Sequence, residues 1–154
     1  MDIPVPLPLD QDGLIRRECP SCRRQFKWHN GPANEEAEAE GSPPIYYCPI
    51  CGEPAPQDAW FTEEQLTFAR GNALPAVMRE VQRELKHAFG KSSRGSGFRF
   101  EANHAGIPDV PGALVEPNDM QIIASPCHSY EPVKVPDDAT GPFHCLICGQ
   151  RFAV

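Results

Sequence analysis

Seven cysteines stand in this chain of 154 residues, and six of them fall in pairs two residues apart: Cys19 with Cys22, Cys48 with Cys51, and Cys145 with Cys148. Such spacing suits a tight knuckle that aims both sulfurs at one point, and two knuckles facing each other make a tetrahedral thiolate site for a metal cation. The count is odd, so the cysteines do not all close into disulfides within the chain. Cys19, Cys22, Cys48 and Cys51 are therefore expected to hold one metal. Four unligated thiols in paired knuckles would be a costly way to place ordinary small apolar residues.

The second constellation is one ligand short. Cys145 and Cys148 form a knuckle, but the other half offers only Cys127, and Tyr130 occupies the place where the same spacing would put its partner. His128, His144 and His104 are the candidates for the fourth position. His128 adjoins Cys127, so both side chains can reach one ion from a tight turn. His144 aligns with Tyr47 of the first half and reads as a strand surface residue. His104 sits in a loop of unread path. The expected set is Cys127, His128, Cys145 and Cys148, with His144, His104 or a water as alternatives. A water in the fourth place would make this a candidate catalytic site, the one opening for enzymatic activity.

The elements that must carry these knuckles are short. Leu14 to Trp28 reads as two strands flanking Cys19-Pro20-Ser21-Cys22, and Ile45 to Tyr47 as a strand entering the next knuckle. Further strands are expected at 98–102, 120–124, 132–135, 143–145 and 151–154. The acidic stretch 30–44 has little to bury and reads as a solvated loop. A helix is expected from Thr62, where Thr62 and Gln65 fit a capping box, with a break near Gly71-Asn72. A second helix should run from about Pro75 to Phe89, with Leu74, Val77, Met78, Val81, Leu85 and Ala88 on one stripe that packs within the chain. An internal repeat underlies the pattern. Tyr46-Tyr47-Cys48-Pro49-Ile50-Cys51-Gly52 lines up with Phe143-His144-Cys145-Leu146-Ile147-Cys148-Gly149, and each is preceded by a cysteine-bearing turn and a strand containing a lysine, Lys27 or Lys134.

The first constellation, from Leu14 to about Pro56, resembles the zinc-ribbon class, in which two knuckles on short antiparallel strands grip one zinc. The resemblance implies a small metal-stabilised α+β chain: two zinc ribbons joined by a helical segment. The expected division is a disordered lead-in at 1–13, a first ribbon at 14–57, a helical connector at 58–90, a linker at 91–97 and a second ribbon-like module at 98–154. Two Zn2+ per chain follow. Cys48-Pro49-Ile50-Cys51-Gly52 with Asp58-Ala59-Trp60 also resembles the second knuckle of rubredoxins, which makes iron at the first site, and electron transfer, an alternative. Arg23 and Arg24 after Cys22 depart from that pattern, where a rubredoxin has glycine and an aromatic residue.

Composition sets the limits. Only 40% of residues are hydrophobic, and 18 Pro and 12 Gly interrupt them, so the chain can bury only a modest core. In small finger peptides a structural zinc contributes ~10–16 kcal/mol of apparent folding free energy, against the ~5–15 kcal/mol net stability of a typical domain. No apolar run approaches a membrane span, and the first residues do not read as a secretory signal; a cytoplasmic protein is expected. The formal charge of −7 alternates in blocks, basic at 14–30 and 65–100 and acidic elsewhere. Arg16, Arg17, Arg23, Arg24 and Lys27, near Phe26 and Trp28, could contact nucleic acid, although the net charge opposes it. A second basic group, Arg79, Arg83 and Lys86, reads as a solvated helix face. The chain lacks a phosphate loop, a nucleophile elbow and an H-E-x-x-H motif. The reading is a non-enzymatic zinc-binding adaptor for a protein partner, with a nucleic-acid-binding ribbon protein as the alternative.

Overall fold

The structure, a computed structural model, describes residues 3–90, 107 and 109–154. These residues divide between two compact units: one contains residues 7–63 and 114–154, the other residues up to 6 together with 64–113.

The first unit holds all the described strands. β1 (Leu14–Glu18) and β2 (Gln25–His29) form an antiparallel hairpin across the first cysteine turn. A short helix, α1 (Glu35–Glu40), leads to β3 (Ile45–Tyr47) and β4 (Pro54–Pro56), which pair across the second knuckle. After residue 114 the pattern repeats. β5 (Met120–Ile123) pairs with β6 (Val133–Pro136), and β7 (Phe143–His144) with β8 (Arg151–Phe152). The stretch read as a solvated loop thus contains a helical turn. Asn34 caps it, its Oδ1 accepting from Ala37 N at 2.9 Å, and Glu35, Glu36 and Glu38 lie in its first turn. Both features satisfy the positive end of a helix. β4 escapes a sequence reading because two of its three residues are prolines.

The two halves share a four-stranded sheet, while β3-β4 and β7-β8 stay separate two-stranded hairpins. β2 pairs antiparallel with β6, with Lys27 opposite Lys134, giving the strand order β1-β2-β6-β5. The two ribbons expected on either side of a helical segment also share backbone pairing. They meet again at the knuckles, where Tyr47 N donates to Leu146 O and His144 N to Pro49 O, both at 2.9 Å. Tyr47 and His144 are equivalent positions of the repeat, as are Pro49 and Leu146, so the contact is reciprocal, as a two-fold relation requires.

Alternation gives the shared sheet two different faces. Ile15, Phe26, Trp28, Val133 and Val135 project to one side. There they join Trp60, Ile123, Phe143 and Leu146 in a continuous core. Trp28 is at its centre, with ring centroids 4.8 Å from Tyr46, 5.7 Å from Trp60 and 5.8 Å from Phe26. On the opposite face Lys27 and Lys134 are both buried. Lys27 Nζ lies 2.9 Å from Glu116 and 3.1 Å from Asp119; Lys134 Nζ lies 2.8 Å from Asp10 and 2.6 Å from Asp12. Charges buried like this are tolerable because each has a partner. Asp10 belongs to the stretch expected as a disordered lead-in. Its carboxylate is buried and also accepts from the amides of Asp12 and Leu14, which ties the segment down before β1.

The second unit consists largely of α2 (Glu63–Gly90), a single helix of 28 residues. The expected break at Gly71-Asn72 does not occur. Asn72 turns its Nδ2 back to Phe68 O at 2.8 Å, a bond a helix can accommodate, and Gly71 gives room to Pro111, whose Cγ would lie 2.9 Å from any Cβ there. Pro75 lies inside the helix; with no N–H for the Gly71 carbonyl it costs about 3 kcal/mol in an ordinary helix interior. The stripe expected to pack within the chain is partly exposed: Leu74, Val77, Val81 and Leu85 keep 38–49% of their surface. The expected linker at 91–97 and strand at 98–102 lie outside the described residues. Among the described residues no helix is long and apolar enough to cross a membrane.

Candidate metal centres

Each centre is built from a knuckle at the end of a hairpin strand. In the first, Cys19 follows β1 directly. The turn closes through Arg23 N to Cys19 O and Cys19 N to Arg24 O, both at 3.0 Å, with Arg23 in the left-handed region at φ +62°. The turn amides of Ser21 and Cys22 point at Cys19 Sγ, each at 3.4 Å. Across the site Cys48 repeats the arrangement, accepting from Ile50 N at 3.4 Å and Cys51 N at 3.5 Å, while Gly52 at φ +80° carries the chain away. Amides aimed at sulfur favour the thiolate.

The four sulfurs converge. Cys19 and Cys51 are 3.7 Å apart, Cys22 and Cys48 3.9 Å, and all four lie within 4.8 Å of one another. A tetrahedral ion with metal–sulfur bonds near 2.3 Å has sulfur–sulfur edges of about 3.8 Å, so the donor set fits. Electrostatics points the same way. Burial, with the neighbouring Cys19 and Cys22 sulfurs, pushes the Cys48 thiol well above the ordinary thiol range, and burial raises Cys51. Cys19 is lowered: burial works against its thiolate, but the amides of Cys22 and Ser21 outweigh it. Four negative sulfurs in this space need a cation to offset them.

The second centre brings together Cys127, His128, Cys145 and Cys148, again with all four ligand atoms within 4.8 Å. Cys127 and Cys148 sulfurs are 3.5 Å apart, and His128 Nδ1 is 3.4 Å from Cys145 Sγ. A sulfur–nitrogen edge of about 3.6 Å is expected for tetrahedral zinc bonds of these types. Cys127 and Cys148 are exposed and Cys145 is buried, so this centre is the more open of the two.

Its turn explains the missing thiol. Ser125-Pro126-Cys127-His128 stands where the first half has Cys19-Pro20-Ser21-Cys22, and His128 N donates to Ser125 Oγ at 3.3 Å just as Cys22 N points at Cys19 Sγ. Ser125, not Tyr130, therefore occupies the vacated ligand position. Its hydroxyl donates to Cys145 Sγ at 3.1 Å instead. Burial opposes the Cys145 thiolate, but this hydrogen bond and the amides of Cys148 and Ile147 lower its pKa to about 7. Tyr130 has its ring edge-on to His128, 5.7 Å between centroids. The Ser-Pro/Cys-Pro match was the available sequence signal for this register.

Of the other candidates, His144 is not in the cluster. Its ring covers Gly52, where a Cβ would lie 2.7 Å from Cδ2, and the ring of Tyr47 covers Gly149 in the same way at 2.6 Å. His104 lies outside the described residues. The basic strand residues are engaged within their unit: Arg16 with Glu116 at 2.8 Å and Asp119 at 2.7 Å, Arg23 with Glu18 at 2.7 Å, Arg24 with Asp138 at 3.7 Å, and Lys27 as above. Arg17 is the exception, its guanidinium 4.9 Å from the Trp28 ring and 5.0 Å from that of Phe61. No protein-family model, curated protein or solved structure matches this chain.

Proposed function

We propose that the chain is a non-enzymatic zinc-binding adaptor, whose two metal centres hold a thin, shared sheet in shape so that ribbon surfaces and α2 meet a protein partner. One observation carries the reading: eight side chains from distant parts of the sequence fall into two groups of four whose ligand atoms lie within 4.8 Å of one another. Zinc at each would supply the charge that offsets the thiolates and a cross-link between hairpins. The His128 imidazole beside three sulfurs suits zinc in particular, and we extend zinc to the all-sulfur centre on the parallel between the halves. Four protein ligands at each centre leave no position for a reactive water, which supports a structural role. The partly exposed apolar residues on α2 support contact with a partner. Because Arg16, Arg23, Arg24 and Lys27 already pair with carboxylates and Arg17 lies against Trp28 and Phe61, we expect no nucleic-acid binding of the steeply salt-dependent kind.

Protein purified without added metal should contain two zincs per chain, while a red, iron-containing preparation would favour an electron carrier. Affinity capture from the native cell should recover a protein that is lost when Val81→Asp places charge on α2. Recovery of the same protein with that variant would contradict the role given to the helix.

A further inference from the structure

Beside the core lies a cavity of about 190 Å³, bordered by Arg17, Trp28, His29, Tyr46, Gln57 and Glu131 among others. Arg17 is anomalous there. It stands in β1 between Arg16 and Glu18, and Arg16 and nearby Arg23 both take carboxylates. Arg17 makes no ion pair or hydrogen bond with any described residue, and its Nε is buried without a partner. The flanking Trp28 and Phe61 rings attract its charge. They leave unmet the Nε–H, one arm of the in-plane fork that matches a carboxylate in two parallel bonds. A buried donor left unmade costs free energy, and with 21 Asp and Glu in the chain, carboxylates are not scarce.

Glu131 borders the same space and makes no ion pair with Arg17 or any other described residue. The cavity thus presents a cation and an anion, each without its complement, along with the aromatic side chains of Trp28 and Tyr46. An apolar cavity of about 150 Å³ takes a benzene molecule, so this one suits an occupant of roughly ten non-hydrogen atoms or fewer.

We propose that this cavity binds a small zwitterion of the α-amino-acid type, its carboxylate held by the Arg17 guanidinium and its ammonium by the Glu131 carboxylate, with the side chain against Trp28 and Tyr46. The site is independent of the adaptor reading and of the metal centres' identity.

The experiment titrates the full, metal-loaded chain with L-leucine, followed by Trp fluorescence and amide chemical shifts. The controls are 4-methylpentanoate, which lacks the ammonium, 3-methylbutylamine, which lacks the carboxylate, and inorganic phosphate. Leucine should saturate with a Kd of about 1 mM or tighter, and each truncated analogue should bind at least about tenfold more weakly. Arg17→Met, which keeps the stem between the rings, should abolish leucine binding. Glu131→Gln should weaken leucine about tenfold and leave 4-methylpentanoate unchanged. Should Arg17→Met fail to fold, Arg17→Lys serves, with an expected loss of about tenfold because the fork is gone. No saturable response to leucine at about 10 mM, leucine binding undiminished by the Arg17 variants, or a response to phosphate alone would each overturn the proposal.

Discussion

Ser125 shows how far one residue can alter a metal centre. With a hydroxyl where Cys19 has a thiol, the second turn lacks the first sulfur, keeps the amide bond from the residue three positions on, and brings Cys127 and His128 to the cluster. The six paired cysteines were legible in the sequence because two-residue spacing has few other physical uses, whereas Cys127 has no such partner. Spacing counted forward from Cys127 reaches Tyr130, whereas the turn is registered by Ser125-Pro126. His128→Ala should reduce the zinc content from two ions to one, and His128→Cys should restore two; native mass spectrometry distinguishes these, and an unchanged count in His128→Ala would remove His128 from the centre. On the opposite face, burial opposes the Asp10 carboxylate, but the Lys134 hydrogen bond and the amides of Leu14 and Asp12 outweigh it and lower its pKa from 3.8 to about 2. The folded value is depressed, so the stabilisation is complete above pH 3.8 and is lost as pH falls from there through about 2. Its size is about 2 kcal/mol. Asp10→Asn should cost at least that much in urea unfolding at pH 7, because buried Lys134 also loses a charge partner; an unchanged unfolding midpoint would contradict the assignment.

The repeat becomes mechanical at the level of hairpins. Each knuckle's glycine receives an aromatic ring from the other half: His144 over Gly52 and Tyr47 over Gly149, with φ of +80° and +74°. A side chain at either position meets both a left-handed backbone and a ring closer than a Cβ permits. Gly52→Ala and Gly149→Ala should each destabilise by at least about 2 kcal/mol, and in Gly52→Ala the further change His144→Ala should recover part of the loss by removing the clash alone. Thermal unfolding of the metal-loaded protein measures both. Strands were legible where alternation was clean, as in β1, β2 and β6. The alternation did not show that Lys27 and Lys134 sit opposite each other, because a lysine between apolar residues reads as a solvent-facing position. The identity of its neighbours, Asp10 and Glu116, emerges only once residues far apart in sequence are folded together. Glycine and asparagine at 71–72 carried a helix-stop signal that local contacts, the Asn72 bond to Phe68 and the space taken by Pro111, overrode.

At the scale of the sheet unit, the pairing of β2 with β6 joins two centres that the spacing alone would treat as independent. Loss of one should therefore be felt at the other. Cys145→Ser should speed zinc release from the Cys19, Cys22, Cys48 and Cys51 centre and lower amide protection in β2, whereas independent ribbons would leave both unchanged. The low hydrophobic content and the many prolines limit what the aromatic core around Trp28 can stabilise alone, and bound metal is expected to supply the remainder. The most direct test is the number of metal ions carried by the intact chain, purified without added metal and weighed under native conditions. Two zincs are expected on each folded molecule, with loss of the sheet's amide protection when a strong chelator removes them. A folded, equally protected chain carrying no metal would contradict this expectation.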